Sequence, residues 1–287
     1  AHLASGSARQ AEYASLVASL AALHLDPFER PAEFFRVQLG SVAEVTAERF
    51  SVGVGGAEVA GVLHRPRLHE PSPCVVACHG MGASKDSDKY LLLARELPAA
   101  GLALVRFDFR GSGESGGASQ GATVASRIAD LEAVLAHLGG HPHLDGRFGL
   151  LGSSLGGFVA LWVASRQQPP GAVVTWNAPA NLLDLAAGQG SEAPGPSPAL
   201  IAEVRAGRHA EAPAGVRRVL VIQGDHDEVV PPAHGRVLFE RARAPRKLCM
   251  IEGADHRLSE PLHRLQALER SREWLLRYLG GAGVSGS

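Results

Sequence analysis

Six short apolar runs recur along the chain: PCVVACHG (73–80), LALVRFDF (102–109), RFGLLG (147–152), GAVVTWN (171–177), RRVLVIQG (217–224) and RKLCMIEG (246–253). Helical stretches are expected between them, near Tyr90–Ala100, Thr123–Leu138, from Ser154 onward, near Ala233–Ala242 and near Leu262–Leu279. A strand apolar on both sides must be covered on both sides, and strands joined through helices run parallel. The pattern therefore predicts an α/β fold, a mostly parallel sheet with helices on both faces. Its reactive side chains are expected at the carboxyl ends of the strands. Ahead of the runs, RFSVGV and AEVAGVLHRP flank Gly55-Gly56 and read as a β-hairpin, which brings the expected sheet to eight strands.

The length of 287 residues suits one such domain with decorations. Residues 8–24, ARQAEYASLVASLAALH, repeat apolar positions at helical spacing, so residues 1–47 are expected to form a helical extension to a main domain at 48–287. That helix is a packing arm or a surface for homo-oligomer contact. Lys and Arg together number 28 against 29 Asp and Glu, which leaves no basic footprint for nucleic acid and points to a small-molecule partner. No apolar stretch reaches the roughly 20 residues of a membrane-spanning helix. Cys74, Cys78 and Cys249 form no C-x-x-C pair, and the first ten residues lack a secretory pattern, so a reducing, cytoplasmic setting is expected.

The pattern G-x-S-x-G occurs three times, around Ser115, Ser119 and Ser154. A nucleophilic serine needs a sharp strand-to-helix turn with small neighbours. Only Ser154 has one: it follows the run RFGLLG and opens SLGGFVALWVAS, whereas Ser115 and Ser119 sit in the loop GSGESGGASQG. A serine hydroxyl also needs a base, and a histidine base needs a carboxylate to hold its tautomer. His256 in EGADHRLSEP and Asp227 in QGDHDEVVPP both follow apolar runs; Asp225 competes with Asp227 but directly follows Gly224, where a turn-capping role fits better. After His79, the backbone N–H of Met81 is placed to form an oxyanion hole with that of Leu155.

These stations resemble the α/β-hydrolase superfamily. HGMGASKD, FDFRGSGESGG, GSSLGG, GDHDEVVP and GADHRLSEP stand in the order such enzymes show, nearest to small bacterial esterases of the cinnamoyl-esterase-like and serine-aminopeptidase-like groups. The resemblance spans Glu48 to Leu279 and implies a triad of Ser154, Asp227 and His256. It also implies a lid after the sixth strand, here residues 178–216, which are rich in Ala, Gly and Pro and hold no aromatic residue. Such a lid suits short-chain or compact aryl esters, with Trp176 either a candidate pocket wall or a plain core residue. Thioester or aminopeptidase-type amide cleavage is the enzymatic alternative, and a catalytically silent binding module the non-enzymatic one. His137, His141 and His143 lack a carboxylate or thiol cluster, so no metal is expected. GSGESGG lacks the G-x-G-x-x-G spacing of dinucleotide binding, so no cofactor is expected either.

Overall fold

A computed structural model of the chain describes residues 45–67, 70–166, 170–186 and 196–280. The expected helix at 8–24 lies outside the described residues, as does the centre of the lid, 187–195.

The hairpin forms as read. β1 (Val45–Val54) and β2 (Ala57–Pro66) pair antiparallel with Val54 opposite Ala57, and Gly55 and Gly56 both take positive φ, as a two-residue hairpin turn demands. The chain then alternates: β3 (Ser72–Cys78), α1 (Asp88–Ala99), β4 (Ala103–Phe107), α2 (Val124–Leu138), β5 (Leu144–Ser153), α3 (Leu155–Ala164) and β6 (Ala172–Trp176). Two short lid helices follow, α4 (Leu182–Ala186) and α5 (Pro198–Arg205), then β7 (Arg217–Gly224), α6 (Pro232–Arg241), β8 (Arg243–Ile251) and α7 (Pro261–Leu279). Among the described residues, eight strands form one sheet in the order β1-β2-β4-β3-β5-β6-β7-β8. Every pairing from β4 to β8 is parallel, and β2 joins β4 antiparallel. β5 and β8 each start three residues earlier than their apolar runs suggest. As the edge strand, β8 tolerates Pro245, which cannot donate to a ladder.

The period of two in each strand sorts side chains between two cores. Cys74, Val76 and Cys78 of β3 pack with Ile128 and Leu131 of α2 and Phe158 of α3. Val75 and Ala77 face the other way, onto Tyr90 and Leu93 of α1 and Leu268 and Leu275 of α7. The three thiols are free; Cys74 and Cys78 are buried in one layer, on either side of Val76, and Cys249 is half-buried. Strand order runs outward in both directions from β3, because β3 leads to β4 on one side and β5 lies on the other. This reversal opens a crevice at the carboxyl ends of β3 and β5, where an open α/β sheet binds its ligands.

Candidate active site

β5 delivers Ser154 into that crevice. The residue sits at φ 54° and ψ −127°, a conformation unusual for an L-residue, and α3 begins immediately after it. Its own N–H donates to the Trp176 carbonyl on β6 (2.8 Å), while its carbonyl accepts from Gly157 and Phe158. The turn is possible because its neighbours are small: a Cβ on Gly156 would collide with the Cys78 carbonyl of β3, and one on Gly152 with the Gly156 backbone.

Three strand ends converge on the hydroxyl. His256, after β8, places Nε2 3.1 Å from Ser154 Oγ. Its Nδ1 lies 3.0 and 2.9 Å from the two carboxylate oxygens of Asp227, which follows β7 and is 4% exposed. The Val229 and Val230 N–H groups donate to Asp227 Oδ1 (2.9 and 2.7 Å), and Gln223 Nε2 donates to Oδ2 (3.2 Å). Asp225 points elsewhere and accepts the Gly253 N–H at 2.7 Å. The loop after β3 passes close to the serine: a Cβ on Gly80 would lie 3.7 Å from Ser154 Oγ. Among the described residues, the N–H groups of Met81 and Leu155 have no protein acceptor.

Ser115 and Ser119 are absent from this constellation. Ser115 Oγ instead donates to the Asp108 carbonyl (2.6 Å) and accepts the Ala60 N–H (2.8 Å), which ties its loop to β2. The three histidines of HLGGHPHL stay apart from it too: the His137 ring stacks on Phe50, and His141 lies beside His143.

Of the two roles open to Trp176, the structure gives the core one and not the pocket wall. Trp176 shares the strand parity of Ala172 and Val174, so its ring goes into the core beneath α1 and α7, wholly buried, and its indole N–H donates to Ser271 Oγ (2.9 Å). What it offers the site is its carbonyl.

Asn177 and Lys89, which hold the site, went unnoticed in the sequence, and His79, named there only for the N–H groups that follow it, holds the site as well. Asn177, just past β6, accepts the Gly224 N–H on its Oδ1 (2.8 Å) and donates through Nδ2 to the carbonyls of Asp255 (3.1 Å) and His256 (2.9 Å). One side chain thus joins the ends of β6, β7 and β8, and its place directly after an apolar run was the available signal. Lys89 of α1 donates to Ser153 Oγ (2.8 Å), next to the Ser154 turn, and burial lowers its pKa to about 8. His79 locks the loop after β3: Nδ1 pairs with the Gly80 carbonyl (2.7 Å) and Nε2 accepts the Phe109 N–H (3.0 Å).

Burial, reinforced by the nearby Arg127 cation, lowers the His79 pKa to about 4. In the unfolded chain the same imidazole takes up its proton near pH 6.5. Between those values the unfolded chain holds more protons, so stability must fall as pH falls from about 6.5 to 4. His64, also lowered to about 4 by burial, works in the same window. His79→Asn is expected to be less stable at pH 7 and to flatten this acid slope by up to about 1.4 kcal/mol per pH unit. Urea unfolding between pH 4 and 7 measures it, and an unchanged slope would remove His79 from the acid response.

The family described as Serine aminopeptidase, S33 matches residues 69–209. An uncharacterized protein of Mycobacterium tuberculosis is 29% identical over 212 residues, spanning 71% of this chain and 69% of that protein. A monoacylglycerol lipase of Mycolicibacterium smegmatis is 25% identical over 283 residues, spanning 83% of this chain and 100% of the lipase. Among solved structures, Est1E of Butyrivibrio proteoclasticus, with ferulic acid bound, has a TM-score of 0.70 at 18% identity, covering 80% of this chain and 98% of its own.

Proposed function

The chain belongs to the α/β-hydrolase superfamily, and on that footing we propose that it is a serine esterase cleaving short-chain or compact aryl carboxylic esters through an acyl-serine intermediate. The observation that carries this reading is the unbroken relay from Ser154 Oγ through His256 to Asp227, at 3.1 and 2.9 Å. In the reading, His256 Nε2 takes the Ser154 proton as Oγ attacks the ester carbonyl, while Nδ1–H stays bonded to Asp227. The oxyanion is held by the Met81 and Leu155 N–H groups, the second at the positive end of α3. Collapse of the tetrahedral intermediate expels the alcohol, which receives the proton from His256. Water then enters, gives a proton to His256, attacks the acyl-serine and restores Ser154. A fluorophosphonate probe is expected to label Ser154, and an unlabelled, folded protein would favour a silent binding module instead.

The preference for short esters is supported by the lid segment, 178–216, which carries no aromatic side chain. A long apolar tunnel needs bulky side chains on stable helices, and α4 and α5 span only five and eight residues. Across a series of nitrophenyl esters, kcat/KM is expected to peak at acyl chains of about two to six carbons and to fall by about ten, since further methylenes find little surface on which to gain their ~0.8 kcal/mol each. A maximum at long-chain esters would sink this account of the lid. The family match keeps amide cleavage in view, so the series includes an aminoacyl anilide and a thioester; faster turnover of either would move the assignment to that bond.

A further inference from the structure

Most of the charged side chains behind the oxyanion loop are matched. Lys85 contacts Asp108, Asp86 and Glu114, Arg106 contacts Asp86, and Arg110 takes the carboxylate of Asp130. Arg127, in the first turn of α2, has none of this. It is 5% exposed, its Nε and Nη1 are shielded from solvent, and neither has a hydrogen-bond partner. Its guanidinium lies over the Phe109 ring, 4.7 Å from the centroid, an arrangement that fixes the plane and leaves the nitrogens unused. Nearby acceptors are engaged elsewhere: Asp130 with Arg110, and Glu203 with the N–H groups of Val124 (2.6 Å) and Ala125 (3.1 Å) and with His209. Burial lowers the Arg127 pKa to about 10, so it is a cation at neutral pH. The Asp130 carboxylate acts on this cation but is already bonded to Arg110, and a buried cation that must share its counter-charge is costly to a fold and makes physical sense where a ligand supplies a second anion.

Arg127 also lines a cavity of about 630 Å³. Its lining includes Met81 and Gly82, on the oxyanion loop, together with Ser112, Gln120, Ser197 and Arg127. No carboxylate lines it, so Arg127 is its sole charged group among the described residues. One lining thus holds both Met81, whose N–H is the proposed oxyanion donor, and a buried cation that shares its counter-charge with Arg110, along with hydroxyl and amide side chains.

We infer that this cavity is a subsite for a carboxylate on the substrate, and that the enzyme's preferred esters are compact ones bearing an anionic group, such as half-esters of short dicarboxylic acids. The inference rests on the esterase reading given above. Arg127 would meet the carboxylate with charge-assisted hydrogen bonds, for which a planar guanidinium is better shaped than an ammonium.

The test uses the full chain with two isosteric substrates, monomethyl glutarate and its neutral counterpart methyl 5-amino-5-oxopentanoate. The wild type is expected to favour the half-ester by about 10-fold or more in kcat/KM, the worth of a hydrogen bond to a charged group. In Arg127→Met the ratio should fall to about 1, and in Arg127→Lys it should fall only part of the way. Glutarate should raise the Tm of the wild type and leave that of Arg127→Met unmoved. The Arg127→Met protein itself should melt no lower than the wild type, because it removes a buried charge that shares its counter-charge and leaves Nε and Nη1 without hydrogen-bond partners. Equal rates on the two substrates, or a glutarate shift that survives in Arg127→Met, would overturn the inference. So would a lower Tm in the variant with no glutarate effect on the wild type, which would make Arg127 a packing group for Phe109. If the wild type cleaved nitrophenyl acetate yet ignored glutarate, the subsite would fall and the esterase reading stand. Glutarate protection that depends on Arg127, in a protein that cleaves no ester, would leave the anion site and remove the esterase.

Discussion

Ser154→Ala is expected to lower kcat/KM on a short acyl ester by at least about 10³-fold and to abolish fluorophosphonate labelling. Ser154 combines a backbone at φ 54°, a base at 3.1 Å and the amino end of α3 behind it. Alanine keeps the turn and removes the atom that would form the acyl bond. Ser115→Ala and Ser119→Ala are expected to retain labelling, because neither hydroxyl has a histidine within hydrogen-bond reach. Ser115→Ala should nonetheless be less stable, by about 1–3 kcal/mol, since it strands the Ala60 N–H and the Asp108 carbonyl that its hydroxyl bridges. Labelling lost equally in all three variants would undo the choice of nucleophile.

Much of the sheet was legible because its strands are apolar on both faces. β3 through β7 lie where short runs end in Gly, His, Asp or Asn, and the hairpin of β1 and β2 turns on two glycines that both need positive φ. The starts of β5 and β8 were harder to place, because Asp145 and Gly146 in one and residues 243–245 in the other are half-exposed or exposed, so hydrophobicity does not mark them. The helices fell within one or two residues of their expected starts, as in α7, where Pro261 takes the first helical position.

The site was legible where a residue's place along its own strand decides its role. Ser154, Asp227 and His256 each follow an apolar run, and parallel strands bring their carboxyl ends to one side of the sheet. The same logic, applied one step further, would have kept Trp176 out of the pocket: with Ala172 and Val174 committed to the core under α1 and α7, a period of two sends Trp176 there as well. What the sequence could not show is partnership across long separations. Asn177 meets His256 from 79 residues away, and Lys89 meets Ser153 from 64. Arg127 reads as an ordinary polar residue of an amphipathic helix; only the third dimension reveals that its neighbours are taken.

Asp227→Asn is expected to cost about 10³- to 10⁴-fold in kcat/KM, the scale on which a serine hydrolase responds to a wrong histidine tautomer, while Asp225→Asn stays close to the wild type. The difference follows from which atoms each carboxylate serves. Asp227 Oδ1 accepts two backbone N–H groups, from Val229 and Val230, and so an asparagine there would keep its oxygen on that side. Its NH₂ would then occupy the Oδ2 position, facing both the Gln223 amide and His256 Nδ1. A donor at that point forces Nδ1 to accept, which moves the imidazole proton to Nε2, the nitrogen that must be free to take the proton of Ser154. The base would be present, correctly placed and in the wrong protonation state. Asp225 presents a single acceptor to the Gly253 N–H on the exposed side of the turn, and the amide oxygen of asparagine supplies that equally well. Steady-state kinetics on one nitrophenyl ester decide the matter: if Asp225→Asn proved the more damaging change, the orienting carboxylate would be Asp225 and the pairing of Asp227 with His256 would have no catalytic weight.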